Sequence, residues 1–218
     1  MPSVLVAGEV ENGALAPVTG ELLAAARKVT AGERPMLALL AAQASGLGGA
    51  GLAAGVARVY LLEHASLDHG GAGVFDAPVA ALEKLIRATE PEIVLFGRTD
   101  FGANVAPRVA VRLGVSVASD CIGLAVDPAS RRLTVTRPVY GGNVLAGFEF
   151  GPRNPQIAVL RPKVFDPGEP APAAHGEVVA FDVSDAVEEP VARLVETVPE
   201  EPAGVRLEDA EVVVAGGR

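Results

Sequence analysis

Short β-branched or Leu-rich runs that take turns with Ala-rich helical segments predict an α/β fold. Its form is a three-layer, doubly wound, mostly parallel sheet, because strands that alternate with helices are covered on both faces. After Gly114 the rhythm changes to four short strand-like runs with turn residues between them, which adds an antiparallel extension to the sheet.

In chain order, the first half reads as strands over 3–8, 36–42, 58–62 and 92–97. Helices are expected between and after them over 17–29, 52–57, 76–89 and 103–113. Pro17 suits a first helical turn, where its missing N–H leaves nothing unsatisfied. In the third helix Val79, Leu82, Leu85 and Ile86 recur at spacings of three and four, which gives one buried face. The second half offers strands over 123–126, 133–137, 143–149 and 157–160. Asp127-Pro128-Ala129-Ser130 and Tyr140-Gly141-Gly142-Asn143 are the turns between them. From Arg161 onward Pro, Ala and acidic residues accumulate as in a connector, with one more strand over 177–183 and a short helix over 186–196. The last apolar run, 211–215, leads into Gly216-Gly217-Arg218. Glycines let a backbone approach an anion closely and Arg can fork onto phosphate oxygens, so this end reads as the opening of a phosphate-binding turn. The helix N-terminus that completes such a site is not in the sequence.

Composition excludes several classes of function. Half of the 218 residues are apolar and 21% are charged, enough for a sizeable core. No run approaches the roughly 18 apolar residues of a membrane span, and Met1-Pro2-Ser3-Val4-Leu5 lacks the features of a signal peptide. A net charge of −9 without a basic stripe opposes nucleic-acid binding, and 4% aromatics without Trp leaves few stacking platforms. One cysteine, Cys121, excludes an internal disulfide and fits a reducing cytoplasm.

Several motifs in fixed order carry a family resemblance. Phe101-Gly102-Ala103-Asn104-Val105-Ala106-Pro107-Arg108-Val109-Ala110 is followed by Leu113-Gly114-Val115 and then Ser119-Asp120. Arg137-Pro138-Val139-Tyr140-Gly141-Gly142-Asn143 and Arg161-Pro162-Lys163-Val164-Phe165 come next. The opening 4–9 with Asn12-Gly13 and Leu15-Ala16-Pro17, and the closing 207–218, also fit. Together they resemble the alpha subunit of electron-transfer flavoproteins over essentially the whole chain.

That resemblance implies a division of labour. Residues 1–165 are expected to form the α/β scaffold domain and 166–204 a Pro-rich, acidic connector. Residues 205–218 would be the first strand and Gly-Gly-Arg turn of a truncated FAD-binding domain. The partner is a beta subunit, which in most family members holds AMP. The full heterodimer carries electrons from dehydrogenases, such as acyl-CoA dehydrogenases, through FAD to a quinone oxidoreductase. Gly216, Gly217 and Arg218 are the FAD contacts that map onto this chain, and Arg218 resembles the arginine at the cofactor's phosphate region. By this reading the chain is not catalytic and binds no flavin alone. One charge-assisted contact contributes about 1.5–3 kcal/mol, whereas micromolar affinity needs about 8 kcal/mol.

Four constellations have a functional and a plain reading. Gly46-Leu47-Gly48-Gly49-Ala50-Gly51 is a literal G-x-G-x-x-G, which makes a stand-alone nucleotide-binding domain the alternative function. However, only six residues separate it from the next strand, too few for a crossover helix, so a flexible turn before a short helix is the plain reading. Glu63, His64, Asp68 and His69 suggest metal ligands, but histidines five apart share neither a helix face nor a strand face. Cys121 with His175 suggests a thiol nucleophile, against a small buried thiol. Arg137, Tyr140 and Asn143 are either turn and edge chemistry or a surface that faces the partner subunit, since Arg and Tyr are efficient interface anchors.

Overall fold

Strand β1 (Val4–Gly8) is buried at every position, which requires neighbours on both edges and cover on both faces. The computed structural model, which describes residues 2–30, 33–44, 46–67, 74–167, 176–188, 196, 198 and 210–217, places it at the centre of a parallel sheet. A two-strand ribbon, β2 (Val10–Glu11) and β3 (Ala14–Leu15), follows, its turn made by Asn12 and Gly13 at φ 51° and 76°. Both central residues at positive φ match the hairpin turn that Asn-Gly favours. Helix α1 (Pro17–Val29) leads to β4 (Met36–Ala41), and α2 (Leu47–Ala53) to β5 (Arg58–Glu63). Helix α3 (Asp76–Thr89) precedes β6 (Ile93–Gly97), and α4 (Asp100–Leu113) precedes β7 (Val117–Cys121). Strands β8 (Gly123–Val126), β9 (Leu133–Val139) and β10 (Val144–Glu149) come next, then β11 (Gln156–Leu160) and β12 (Glu177–Ala180).

Among the described residues the large sheet runs β12-β5-β4-β1-β6-β11-β7, and every pairing in it is parallel. The chain winds outward from β1 through β4 to β5, then returns to the other side of β1 at β6. That reversal makes the fold doubly wound. Alternate residues of each strand face opposite layers. Leu5, Leu62, Val94, Phe96 and Ile157 pack with Leu82 and Leu85 of α3 and Val105 and Val109 of α4. Val4, Val6, Leu39, Ile93 and Leu95 pack with Leu22, Leu23 and Ala26 of α1. Leu133 and Val135 of β9 share that second core, so the antiparallel strands cover the sheet face where α1 stops.

The expected architecture holds, with local corrections. The antiparallel strands form their own sheet, β10-β9-β8, and β11 re-enters the parallel sheet between β6 and β7. Strand β7 was not expected, because Val-Ala-Ser-Asp-Cys is too polar to stand out as a run. The second helix occupies 47–53 rather than 52–57, so the glycines lie within it. A Cβ on Gly48 would meet Val178 Cγ1 at 2.8 Å, and one on Gly51 would meet Val59 Cγ2 at 2.8 Å. These glycines let a short helix lie close on the sheet, which is packing chemistry rather than a phosphate cradle. Helix α4 begins at Asp100 rather than Ala103, with the Thr99 side chain accepting from Gly102 N at 3.2 Å as its N-cap. The strand expected over 177–183 ends at 180; of the helix expected over 186–196, residues 189–195 lie outside the described residues.

Buried Gln156 joins the two sheets. Its Oε1 accepts from Leu133 N at 2.6 Å, and its Nε2 donates to Arg131 O at 3.3 Å and Glu92 O at 3.4 Å. A buried amide with these partners carries no desolvation penalty left unmet, and it fixes where β9 sits against β11.

Candidate subunit interface

The hairpin β9–β10 is an arm. Its pairing is regular from Val139↔Val144 back to Thr134↔Glu149. At its tip Tyr140, Gly141 and Gly142 all take positive φ (52°, 68° and 92°). Two glycines adopt this freely; Tyr140 does so at a steric cost that a tight tip imposes. Asn143 closes the tip by donating from Nδ2 to Tyr140 O at 2.9 Å. Asn143 is thus a turn-holding residue, and its side chain is engaged within the hairpin. Tyr140 is 82% exposed and Leu145 is 61% exposed, with Val144 and Phe148 also open to solvent. Four large apolar side chains on one short arm exceed the scattered apolar residues of an ordinary surface.

Arg137 lies on β9 behind this tip. Its guanidinium sits over the Phe148 ring, 5.8 Å from the centroid, while its Nε is buried with no hydrogen-bond partner. Arg137, Tyr140 and Asn143 therefore lie on one hairpin, but each in a different setting: stacked on Phe148, exposed, and hydrogen-bonded within the turn.

Beside the arm, the carboxyl edge of the parallel sheet carries a charged cluster that the sequence reading missed. Arg98 follows β6, Arg161 follows β11, and Asp120 lies in β7. The ladder between β11 and β7 shifts register between Ala158 and Leu160, and Asp120 takes φ 63° there. A bulge of this kind re-aims a side chain. Asp120 accepts a two-pronged contact from Arg161, Nε–Oδ1 2.9 Å and Nη2–Oδ2 2.8 Å, and Arg98 Nε lies 3.5 Å from Oδ1. Arg161 first, then Arg98 and Arg137, hold the Asp120 carboxyl below its ordinary range against the opposing effect of burial. The available signal was positional: a charged residue directly after each of the strands expected over 92–97 and 157–160.

The switch point between β1 and β6, where doubly wound sheets bind ligands, is closed by the chain's own residues. Thr99 Oγ1 donates to Glu9 Oε1 at 2.8 Å, and Glu9 N donates to Thr19 Oγ1 at 2.8 Å. Burial pushes the Glu9 carboxyl up to about 7; the Thr99 hydrogen bond lowers it, and nearby Glu11 and Asp100 add to the rise. A Cβ on Gly97 would stand 2.6 Å from Val18 Cγ2 and 3.1 Å from Glu9 Oε1.

The remaining candidates separate. Glu63 Oε2 accepts from Ala44 N and His64 Nδ1 accepts from Ser66 N, both local structural bonds. Asp68, His69, His175 and Arg218 lie outside the described residues. Among the described residues no cluster of metal-ligating side chains occurs, and no helix is long and apolar enough to cross a membrane. Cys121 is fully buried, and burial pushes its thiol up to about 11, which leaves it protonated and unreactive. Gly216 and Gly217 are exposed, with nothing within 4 Å of a Cβ built on either.

The profile of the electron transfer flavoprotein domain matches residues 4–186. The chain is 31% identical to the electron transfer flavoprotein subunit alpha of Megasphaera elsdenii, covering 99% of this chain and 63% of that protein. It is 32% identical to Protein FixB of Azotobacter vinelandii, over 99% of this chain and 61% of that one. It is also 30% identical to the LctC subunit of the lactate dehydrogenase (NAD(+),ferredoxin) of Acetobacterium woodii, over 95% of this chain and 49% of that subunit. The chain thus spans less than two thirds of the length of these relatives. With the profile covering most of its sequence and the doubly wound sheet beneath it, the chain belongs to the electron transfer flavoprotein domain family, on the side of the alpha-type subunits.

Proposed function

We propose that this chain is the scaffold and subunit-interface domain of an electron-transfer flavoprotein alpha subunit, and that the β9–β10 arm is where it meets a beta subunit. The observation that carries the proposal is the exposed apolar set Tyr140, Val144, Leu145 and Phe148 on that arm, in a chain of net charge −9. Interfaces are built around such cores, with Tyr and Arg as anchors and a polar rim. In this reading FAD belongs to the full-length protein. The present residues contribute only the Gly216-Gly217-Arg218 turn to it, and AMP sits in the partner. The heterodimer accepts electrons from dehydrogenases and passes them to a quinone oxidoreductase, while this domain performs no chemistry.

The test is affinity for the beta subunit of the same organism, measured by titration calorimetry with wild type, Leu145→Asp and Phe148→Asp. Each substitution buries a charge in the centre of the proposed interface and is expected to weaken association by roughly tenfold or more. Both side chains are exposed in the chain alone, so thermal unfolding should stay near wild type. Unchanged affinity in both variants removes the arm from the interface. The nucleotide-binding alternative is weakened by the packing role of Gly48 and Gly51, and micromolar ATP or NAD binding by the chain would revive it.

A further inference from the structure

We infer that Arg98, Arg137 and Arg161, arranged around Asp120, seat a carboxylate side chain of the partner subunit at the edge of the apolar arm. This rests on the interface reading above and adds the chemistry of the partner. Arg161 and Arg98 contact one carboxylate, and Arg137 on β9 adds its charge nearby, in a chain whose net charge is −9. They come from three separate strands or strand ends, and a bulge with Asp120 at φ 63° is held in place to bring them together. Residues kept in strained conformations cluster where a surface has work to do.

Asp120 is 19% exposed, and it fixes Arg161 by two parallel bonds; the Arg161 and Arg98 side chains remain 43% and 52% exposed. The carboxylate thus holds Arg161 in a fixed position while its outer face stays open. Arg137, its guanidinium over the Phe148 ring and its Nε buried, joins this charge to the apolar surface of Phe148. A free small anion on such an open face would remain hydrated and screened by salt, and small-molecule sites are concave. A carboxylate carried by a docked protein is different: burial of the adjacent arm dries the ion pairs and strengthens them.

The test uses this chain and the beta subunit of the same organism, with Kd measured across a range of NaCl concentrations. Arg98→Glu is the main variant, because Arg98 is half-exposed and lies 3.5 Å from Asp120, and Arg98→Gln is the milder one. Circular dichroism and thermal melts check that each folds. The inference expects Arg98→Glu to weaken binding at least tenfold, Arg98→Gln to do so less, and the salt dependence of Kd to flatten in both. It also expects one Asp→Lys or Glu→Lys substitution on the partner to restore affinity to Arg98→Glu. If Leu145→Asp abolishes binding while both Arg98 variants keep wild-type affinity and salt dependence, the inference fails and the interface stands. If neither class of variant matters, both fail. Saturable binding of inorganic phosphate that Arg98→Glu removes, with partner affinity unchanged, would make the cluster a free-anion site and overturn the inference. Absence of any rescuing partner substitution overturns it too.

Discussion

Gly102 sits in the first turn of α4, where a Cβ would lie 1.9 Å from the carbonyl oxygen of Gly97. No rotamer change relieves a clash with backbone, so α4 must move away from the end of β6. Gly102→Ala is therefore expected to destabilise the chain by about 3 kcal/mol or more, read as a shift in the denaturant midpoint. Glu9 gives a pH signature. Its folded pKa of about 7 lies above the ordinary carboxylate value of 4.5, so the folded chain binds that proton more tightly than the unfolded one. The stabilisation is complete below pH 4.5 and is lost as pH rises through about 7, with a total of about 3 kcal/mol. Glu9→Gln keeps an oxygen for Thr99 and cannot ionise. Its stability should be nearly flat over that window, and it should exceed wild type at pH 8; parallel pH profiles would contradict this assignment.

At the scale of elements, α3 was legible because its apolar spacing is set within the helix. The same residues, Leu82, Leu85 and Ile86, are buried against the sheet. Leu85→Ala should leave a cavity and cost about 2–5 kcal/mol in urea unfolding. Helix α2 was misplaced because its glycines read as a turn by propensity. Contact with Val59 on the following strand and with Val178 on β12, far along the chain, favours helix there instead. Strand β7 was missed for the related reason that pairing with β11, not its own composition, makes it a strand. The turn at 140–143 was read correctly, since Gly-Gly-Asn chemistry is local; that the arm it closes stands exposed was not readable from those residues.

For the whole molecule, the stretch 210–217 lies apart from the sheet order. Val212 and Val214 are exposed and the described residues there form no strand. In the chain alone their amides should exchange with solvent near intrinsic rates, in contrast to β1 and β6 at the centre. Protection of 212–215 comparable to β1, measured by hydrogen exchange, would show that these residues have found a partner strand. The −9 charge likewise belongs to the whole molecule, and it gives the small basic corner at Arg98, Arg137 and Arg161 its contrast.

Fold class, most helices and strands, the arm's turn and the family were all legible along the chain, because periodicity, turn chemistry and ordered motifs are properties of short segments. Tertiary structure decided the strand order β12-β5-β4-β1-β6-β11-β7, with β11 inserted out of sequence, since pairing is a contest between distant segments. That insertion places Arg161 against Asp120 and Arg98, residues 41 and 63 positions away in the chain. The pairing of β6 with β1 likewise closes the switch point with Glu9 and Thr99, which lie 90 residues apart. Such side chains become one site only when the sheet assembles, which is why no local pattern announced them.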